Sequence, residues 1–120
     1  MNLGLVGKTA EDKTSAFLRK NGYKILKRNY SCRFGEIDII AEKEEYIIFV
    51  EVKARKRGSL VSPIEAVDSK KVKRIMLTAE DYISKTETVL QPRFDVAEVE
   101  VLENTDKSLS YSLHYIENAF

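Results

Sequence analysis

Helix, strands, helix, strands: this order of elements predicts an α/β or α+β domain, one sheet flanked by helices. Three observations carry the prediction. Apolar residues recur at helical spacing in two stretches, one near the N-terminus and one past the middle of the chain. Between and after them lie runs rich in β-branched and aromatic residues. One of these runs, residues 46–50, is apolar at every position, which suits a central strand covered on both sides.

A chain of 120 residues bounds this to one domain, residues 1–120, large enough for a single core. Hydrophobic content of 43% without low-complexity sequence argues for an ordered globule. No apolar run approaches the roughly 20 residues of a membrane helix, and no signal-peptide pattern opens the chain. The expectation is a cytoplasmic protein with no membrane partner. The lone Cys32 excludes an internal disulfide and a cysteine-based zinc cluster. Net charge is only +1, so affinity for nucleic acid has to come from local clustering of basic residues.

Residues 1–7 hold two glycines and no pattern, and read as a loose lead. From about Lys8 to Asn21 a stripe of Ala10, Thr14, Phe17 and Leu18 predicts a helix, with Gly22 as its stop and Arg19 and Lys20 in its last turn. Glu11 shares a face with Thr14 and Leu18. By itself it is a first-turn glutamate favoured by the helix dipole. Residues 23–30 read as the first strand, residues 31–35 as a turn, and residues 38–41 and 46–53 as a hairpin around the charged loop 42–45. Gly35, three residues before Asp38, permits close backbone approach by protein or ligand.

A four-residue loop sets Ala41 opposite Tyr46 and Asp38 opposite Phe49. Asp38, Phe49, Glu51 and Lys53 then share one face. Glu51 becomes the diagonal neighbour of Asp38, with Cβ atoms roughly 7–8 Å apart. Carboxylates at that separation can reach one divalent ion, whose oxygen ligands lie at about 2.0–2.1 Å for Mg²⁺. Lys53 follows beside the position of a bound phosphate. A hairpin with a solvated Glu51–Lys53 pair is the alternative. Against it, charges at the end of a strand covered on both sides are costly unless paired or metal-bound.

Residues 55–59 form a basic, glycine-containing loop. Ser62-Pro63-Ile64-Glu65 is a capping box with proline at the first helical position. After a break near Asp68, a second helical stretch sets Val72, Ile75, Met76, Ala79 and Ile83 on a core face, Met76 as filler. Lys70, Lys71, Lys73 and Arg74 fall on the other side. Between residues 53 and 74 the basic side chains Lys53, Arg55, Lys56, Arg57, Lys70, Lys71, Lys73 and Arg74 meet only Glu65 and Asp68, the local cluster a phosphate backbone would need. Residues 86–88 link to a strand over 93–101. Residues 104–107 turn, and Leu109, Tyr111, Leu113 and Tyr115 alternate along a last strand with His114 on its exposed phase.

Gly35-Glu36-Ile37-Asp38, Phe49-Val50-Glu51-Val52-Lys53, Arg93-Phe94-Asp95-Val96 and Ile116-Glu117-Asn118-Ala119-Phe120 together resemble the YraN-like family of small bacterial proteins. That family lies in the PD-(D/E)xK restriction-endonuclease-like superfamily and is similar to archaeal Holliday-junction resolvases. The resemblance implies an α/β restriction-endonuclease-like fold, a central mixed sheet flanked by helices. It implies Mg²⁺ or Mn²⁺ held by Asp38, Glu51 and the backbone carbonyl of Val52, with Lys53 beside them. Glu11, counted back from Phe17-Leu18, matches the family's helix-borne glutamate, although Ala10 stands where many relatives have glycine. Asp95 lies in a motif, but no spacing ties it to the metal. The implied partner is nucleic acid, DNA before RNA, with a homodimer allowed.

Two functional readings follow. One is a metal-dependent endonuclease hydrolysing phosphodiesters directly, on branched DNA as in the resolvases it resembles. The other is a nucleic-acid-binding module of the same fold with little or no turnover. The set Asp38, Glu51 and Lys53 favours the first. Val72, where relatives often carry a glutamine after the lysine matching Lys71, favours the second.

Overall fold

Ala10, Thr14 and Leu18 recur at four-residue spacing and are all buried, forming the inner stripe of the first helix. In the computed structural model, which describes residues 3–58 and 68–120, that helix is α1 (Leu3–Lys20). It starts earlier than the expected Lys8, because buried Val6 extends the stripe one turn back through the glycine-containing lead. Then come β1 (Lys24–Cys32), β2 (Gly35–Lys43), β3 (Tyr46–Lys56), α2 (Ser69–Thr86), β4 (Gln91–Glu103) and β5 (Leu109–Ile116).

The strands lie side by side in chain order as one five-stranded sheet. Neighbours are antiparallel except β3 and β4, which run parallel and are joined through α2. A parallel connection needs a crossover, and the helix supplies it. The fold is therefore α/β, a mixed sheet with helices. α1 covers one face over Ile39, Ala41, Ile48, Val50 and Ala97. α2 covers the other, with Ile75 and Ala79 on Ile37, Ile40, Ile47 and Phe49. No described helix is long and apolar enough to cross a membrane.

The central hairpin differs from the expected register. Its turn is Glu44-Glu45, with Glu44 in the left-handed region at φ +56°, and Lys43 pairs with Tyr46. Glu42 and Lys43 thus belong to the strand and not to a four-residue loop. Phe49 faces Ile40, not Asp38. The basic segment after β3 also starts later than expected. Arg55 and Lys56 pair with Glu100 and Val101 of β4, and the Arg57 N–H donates to the Val101 carbonyl at 2.9 Å.

The break near Asp68 is a helix cap: its carboxylate accepts the Lys71 N–H at 2.9 Å. The Ser62–Glu65 capping box lies outside the described residues. Ile75 and Ala79 are buried as expected, but Met76 is 38% exposed and fills no core gap. It falls about 100° around the helix from Ile75, off the contact stripe.

Gly35 opens β2 at φ +151°, and an added Cβ would lie 3.4 Å from Thr78 Oγ1 and 3.7 Å from Arg74 Cβ. Those are ordinary contact distances to α2, so it is the positive φ and not crowding that calls for glycine here. Gly35→Ala should therefore destabilise the fold by about 1–3 kcal/mol. Gly7→Ala adds a methyl with nothing within 4 Å, inside a helix, and should be neutral or stabilise by up to about 1 kcal/mol. Urea unfolding of both variants checks this. Equal effects would contradict the backbone strain assigned to position 35.

Candidate active site

Side chains two residues apart on a strand normally share a face. In β2 this rule fails across Asp38: Ile39 enters the core under α1, while Ile37 enters the core under α2. The partner strand breaks at the same level. β1 pairs Arg28 with Ile39 and Tyr30 with Ile37, and Asn29 between them is left-handed at φ +53°. Asparagine is among the few residues that tolerate this conformation. Arg28 turns toward α1 while Tyr30 turns toward α2, where its hydroxyl hydrogen-bonds Asp81.

β2 and β3 part at the same point. The ladder ends at Ile39 with Val50, and extending its register sets Glu51 across from Asp38 instead of diagonal to it. The Val52 N–H donates to Asp38 Oδ2 at 2.7 Å. A carboxylate thus serves where the strand ladder has ended.

Asp38 consequently borders two clefts. On the α2 side, Gly35, Glu36, Asp38, Glu51, Lys71 and Arg74 line a space of about 400 Å³. On the α1 side, Glu11, Asn29, Glu36, Asp38 and Val52 line a smaller one of about 250 Å³. Glu51 is buried, and its Oε1 meets Lys71 Nζ at 2.9 Å and Lys53 Nζ at 3.4 Å. Glu11 Oε1 accepts from Arg28 Nε and from Asn29 Nδ2, each at 3.0 Å, and Arg28 also grips Asp12 at 2.6 Å. Asp38, Glu51 and Lys53 thus converge, whereas Glu11 lines the separate α1-side cleft, which shares only Asp38 and Glu36, not Glu51, with the α2-side one.

The electrostatics follow from this crowding. Burial first, then the Glu51 charge, push the Asp38 carboxyl up to about 7 against the pull of the Val52 N–H. Desolvation and the adjacent Lys71 lower the Lys53 pKa, although Glu51 works the other way. Desolvation opposes the Lys71 ammonium too, but its hydrogen bonds to Lys53 and Glu51 outweigh it and raise its pKa.

Among the described residues no group of three or more His, Cys, Asp or Glu side chains is gathered closely enough to hold a metal ion unaided. Asp38 and Glu51 nevertheless offer hard oxygen donors, and no cationic side chain within ion-pair distance offsets the Asp38 charge among those residues. The donor set fits an ion such as Mg²⁺, which keeps several waters and takes one or two carboxylates. Val52 lines the α1-side cleft together with Asp38 and Glu11.

Residues 10–99 match the model of the uncharacterised protein family UPF0102. The chain belongs to that family. UPF0102 proteins similar to it include one from Clostridium acetobutylicum, 45% identical over 95% of this chain and 92% of the relative. Another, from Caldanaerobacter subterraneus subsp. tengcongensis, is 40% identical over 100% of this chain and 98% of its own. A third, from Fusobacterium nucleatum, is 49% identical over 79% and 81%. The matched span of this UPF0102 chain holds Glu11, Asp38, Glu51, Lys53 and Lys71 together.

The basic cluster is less uniform in space than in sequence. Lys71 faces the sheet and Glu51, not the exposed side of α2. Its spacing of four residues before Ile75 carried that information. Arg55 pairs with Glu98 at 2.6 Å, and Arg57 with Glu100 at 3.4 Å. Lys56, Lys70, Lys73 and Arg74 are exposed. Arg28, Asn29, Glu36, Glu98 and Glu100 were not anticipated. Only the left-handed tolerance of asparagine at position 29 hinted at any of them.

An acid whose folded-state pKa lies above its unfolded value stabilises the fold below the unfolded pKa and loses that contribution as pH rises through the folded one. For Asp38 the window runs from 3.8 to about 7. In chelator, Asp38→Asn should match wild type near pH 4 and become more stable by on the order of 2–4 kcal/mol above pH 7. Denaturant titrations across that range check it; a gap independent of pH would contradict the crowded carboxylate pair.

Proposed function

We propose that this UPF0102 protein is a nuclease-like protein of restriction-endonuclease-like fold that acts on nucleic-acid phosphodiesters with Mg²⁺ or Mn²⁺. The observation that carries the reading is the cleft at the end of β3. There two opposed carboxylates share a partly desolvated space with two lysines. The mixed sheet with a helix on each face agrees with the fold.

A divalent ion held by Asp38 and Glu51 would offset phosphate charge and acidify a bound water. The chain's own residues do the rest. The Val52 N–H fixes Oδ2 of Asp38 and leaves Oδ1 without a hydrogen bond from the described residues. Lys71, kept charged, faces the phosphate together with Arg74. Lys53, with its pKa lowered, is neutral in a larger fraction of molecules than an ordinary lysine, so it can orient the attacking water and accept its proton. Arg28 and Asn29 hold Glu11 beside Asp38. Lys56, Lys70 and Lys73 contact backbone phosphates and carry little sequence information.

A second reading, binding without turnover, is favoured by one observation: Glu51 Oε1 is already held by Lys71 and Lys53. One experiment separates the two. Branched, single-stranded and duplex DNA, and RNA, are incubated with Mn²⁺ or Mg²⁺ and wild type, Glu51→Gln or Lys53→Ala. On the nuclease reading wild type cuts, and either change lowers the rate at least about 100-fold. Glu51→Gln leaves affinity near wild type or tighter, since it removes a negative charge beside the phosphate. Neutralising Lys70 and Lys73 together flattens the log–log salt slope by roughly 1–2 units. Salt-dependent binding with no cleavage under any condition would establish the binding module. Neither binding nor cleavage would refute both.

A further inference from the structure

The motifs Arg93-Phe94-Asp95-Val96 and Ile116-Glu117-Asn118-Ala119-Phe120 take no part in the cleft at the end of β3. They meet at the opposite end of the sheet, about 17 Å away along β3 between Tyr46 and Glu51. Asp95 is fully buried and saturated with donors: Arg93 Nε at 3.0 Å and Nη2 at 2.8 Å, the Tyr115 hydroxyl at 2.6 Å and the Asn118 N–H at 2.8 Å. The Ala119 N–H donates to the Phe94 carbonyl at 2.7 Å, which fastens the tail beside the start of β4.

This arrangement holds one guanidinium flat. Arg93 Nη2 also donates to the Tyr23 hydroxyl at 2.8 Å, and the guanidinium lies 5.8 Å from the Tyr23 ring centre and 5.2 Å from that of Tyr46. Its remaining nitrogen, Nη1, donates to no described residue. Lys43 Nζ lies 4.8 Å from the Tyr23 ring, with no described carboxylate in ion-pair range. A buried ion pair is weak evidence for stability by itself. The Arg93–Asp95 pair does have a second effect: with Tyr23 buried and Arg93 only 13% exposed, it backs the half-buried Tyr46 ring, which is the accessible part of the platform.

That platform lines a cavity of about 710 Å³, bordered also by Gln91, Glu117 and Asn118. The volume falls in the range of small-ligand sites. Aromatic rings and guanidinium planes are what unpaired bases stack on. The Gln91 and Asn118 side-chain amides make no described hydrogen bond and offer both donors and acceptors to a base edge. The charges set the kind of ligand. Asp95 cancels Arg93, leaving Lys43 against the rim carboxylates Glu44 and Glu117. A phosphate dianion is poorly matched there, and a single phosphodiester charge has Lys43 to meet it, with Arg93 Nη1 as a hydrogen-bond donor only.

We infer that this cavity binds one unpaired nucleotide of a single strand, its base on the Tyr46–Arg93 platform and its phosphodiester beside Lys43. The inference rests on the nucleic-acid reading above and adds to it: the strand engaged by this protein carries an unpaired segment.

The test is an NMR titration of the metal-free protein with a six-nucleotide single strand, a blunt duplex and a 5′-mononucleotide. The single strand should shift the amides of Tyr23, Lys43, Gln91 and Asn118, and the mononucleotide should bind more weakly at the same residues. Tyr46→Leu and Lys43→Gln should each weaken single-strand binding about tenfold while Tyr46→Phe stays near wild type, with folding checked by circular dichroism. Because Lys43 lies near the surface, its variant decides the matter if Tyr46→Leu misfolds. Shifts confined to Lys70, Lys73 and the Asp38 cleft would overturn this inference and leave the nucleic-acid reading standing. No shift with any nucleic acid would overturn both.

Discussion

The hydrogen bond from the Val52 N–H to the Asp38 carboxylate is the constraint on which the cleft depends. Two strands cannot both pair to their ends and spread to admit a ligand. Here β2 and β3 separate, and a side chain serves the N–H that a neighbouring strand would otherwise have served. Leaving that donor unmet would cost about 1–3 kcal/mol. The same bond fixes Asp38 opposite Glu51, with the mutual repulsion this entails. The surrounding residues answer that charge. Two lysines converge on Glu51, and Arg28 with Asn29 neutralises and orients Glu11. Remove the divergence of the strands, and these groups have no common space to face.

What was legible in the sequence was local. The buried stripe of α1, the β-branched runs, the Asp68 cap and the alternation of β5 each follow from patterns within a few residues. The convergence of Asp38, Glu51 and Lys53 was also within reach, although the register behind it was not. A charged segment such as Glu42–Glu45 gives no turn residue to fix the loop, and the structure closes it by placing Glu44 in a left-handed conformation usually left to glycine or asparagine. Two residues of loop instead of four shift the pairing by two, so the faces are preserved while the partners change. Parity saved the site.

The basic cluster shows the opposite failure. Counted along the chain, residues 53–74 look strongly cationic. The parallel pairing of β3 with β4, however, sets Glu98 and Glu100 beside Arg55 and Arg57 from more than forty positions away in the numbering. No local pattern announces a long-range parallel neighbour. Lys71 was misplaced for a related reason. Its helical phase pointed inward, but its charge argued for solvent, and the buried Glu51 that reconciles the two lies on another element.

The parallel pair at the centre of the sheet also has a consequence for how the molecule assembles. β1, β2 and β3 can zip through tight turns, since each contact spans few residues. β4 can add to β3 only after the whole crossover from 57 to 90 has been spanned, and β5 then follows on β4 through a short turn. Loop-closure entropy opposes that single step more than any other. Refolding should therefore divide into an early N-terminal meander and a late docking of the C-terminal hairpin. The late event joins Arg55 to Glu98 and stacks Phe94 on Phe49. In a chain still emerging from the ribosome, the carboxylates of β2 and β3 would be laid out long before the strand that completes the sheet around them.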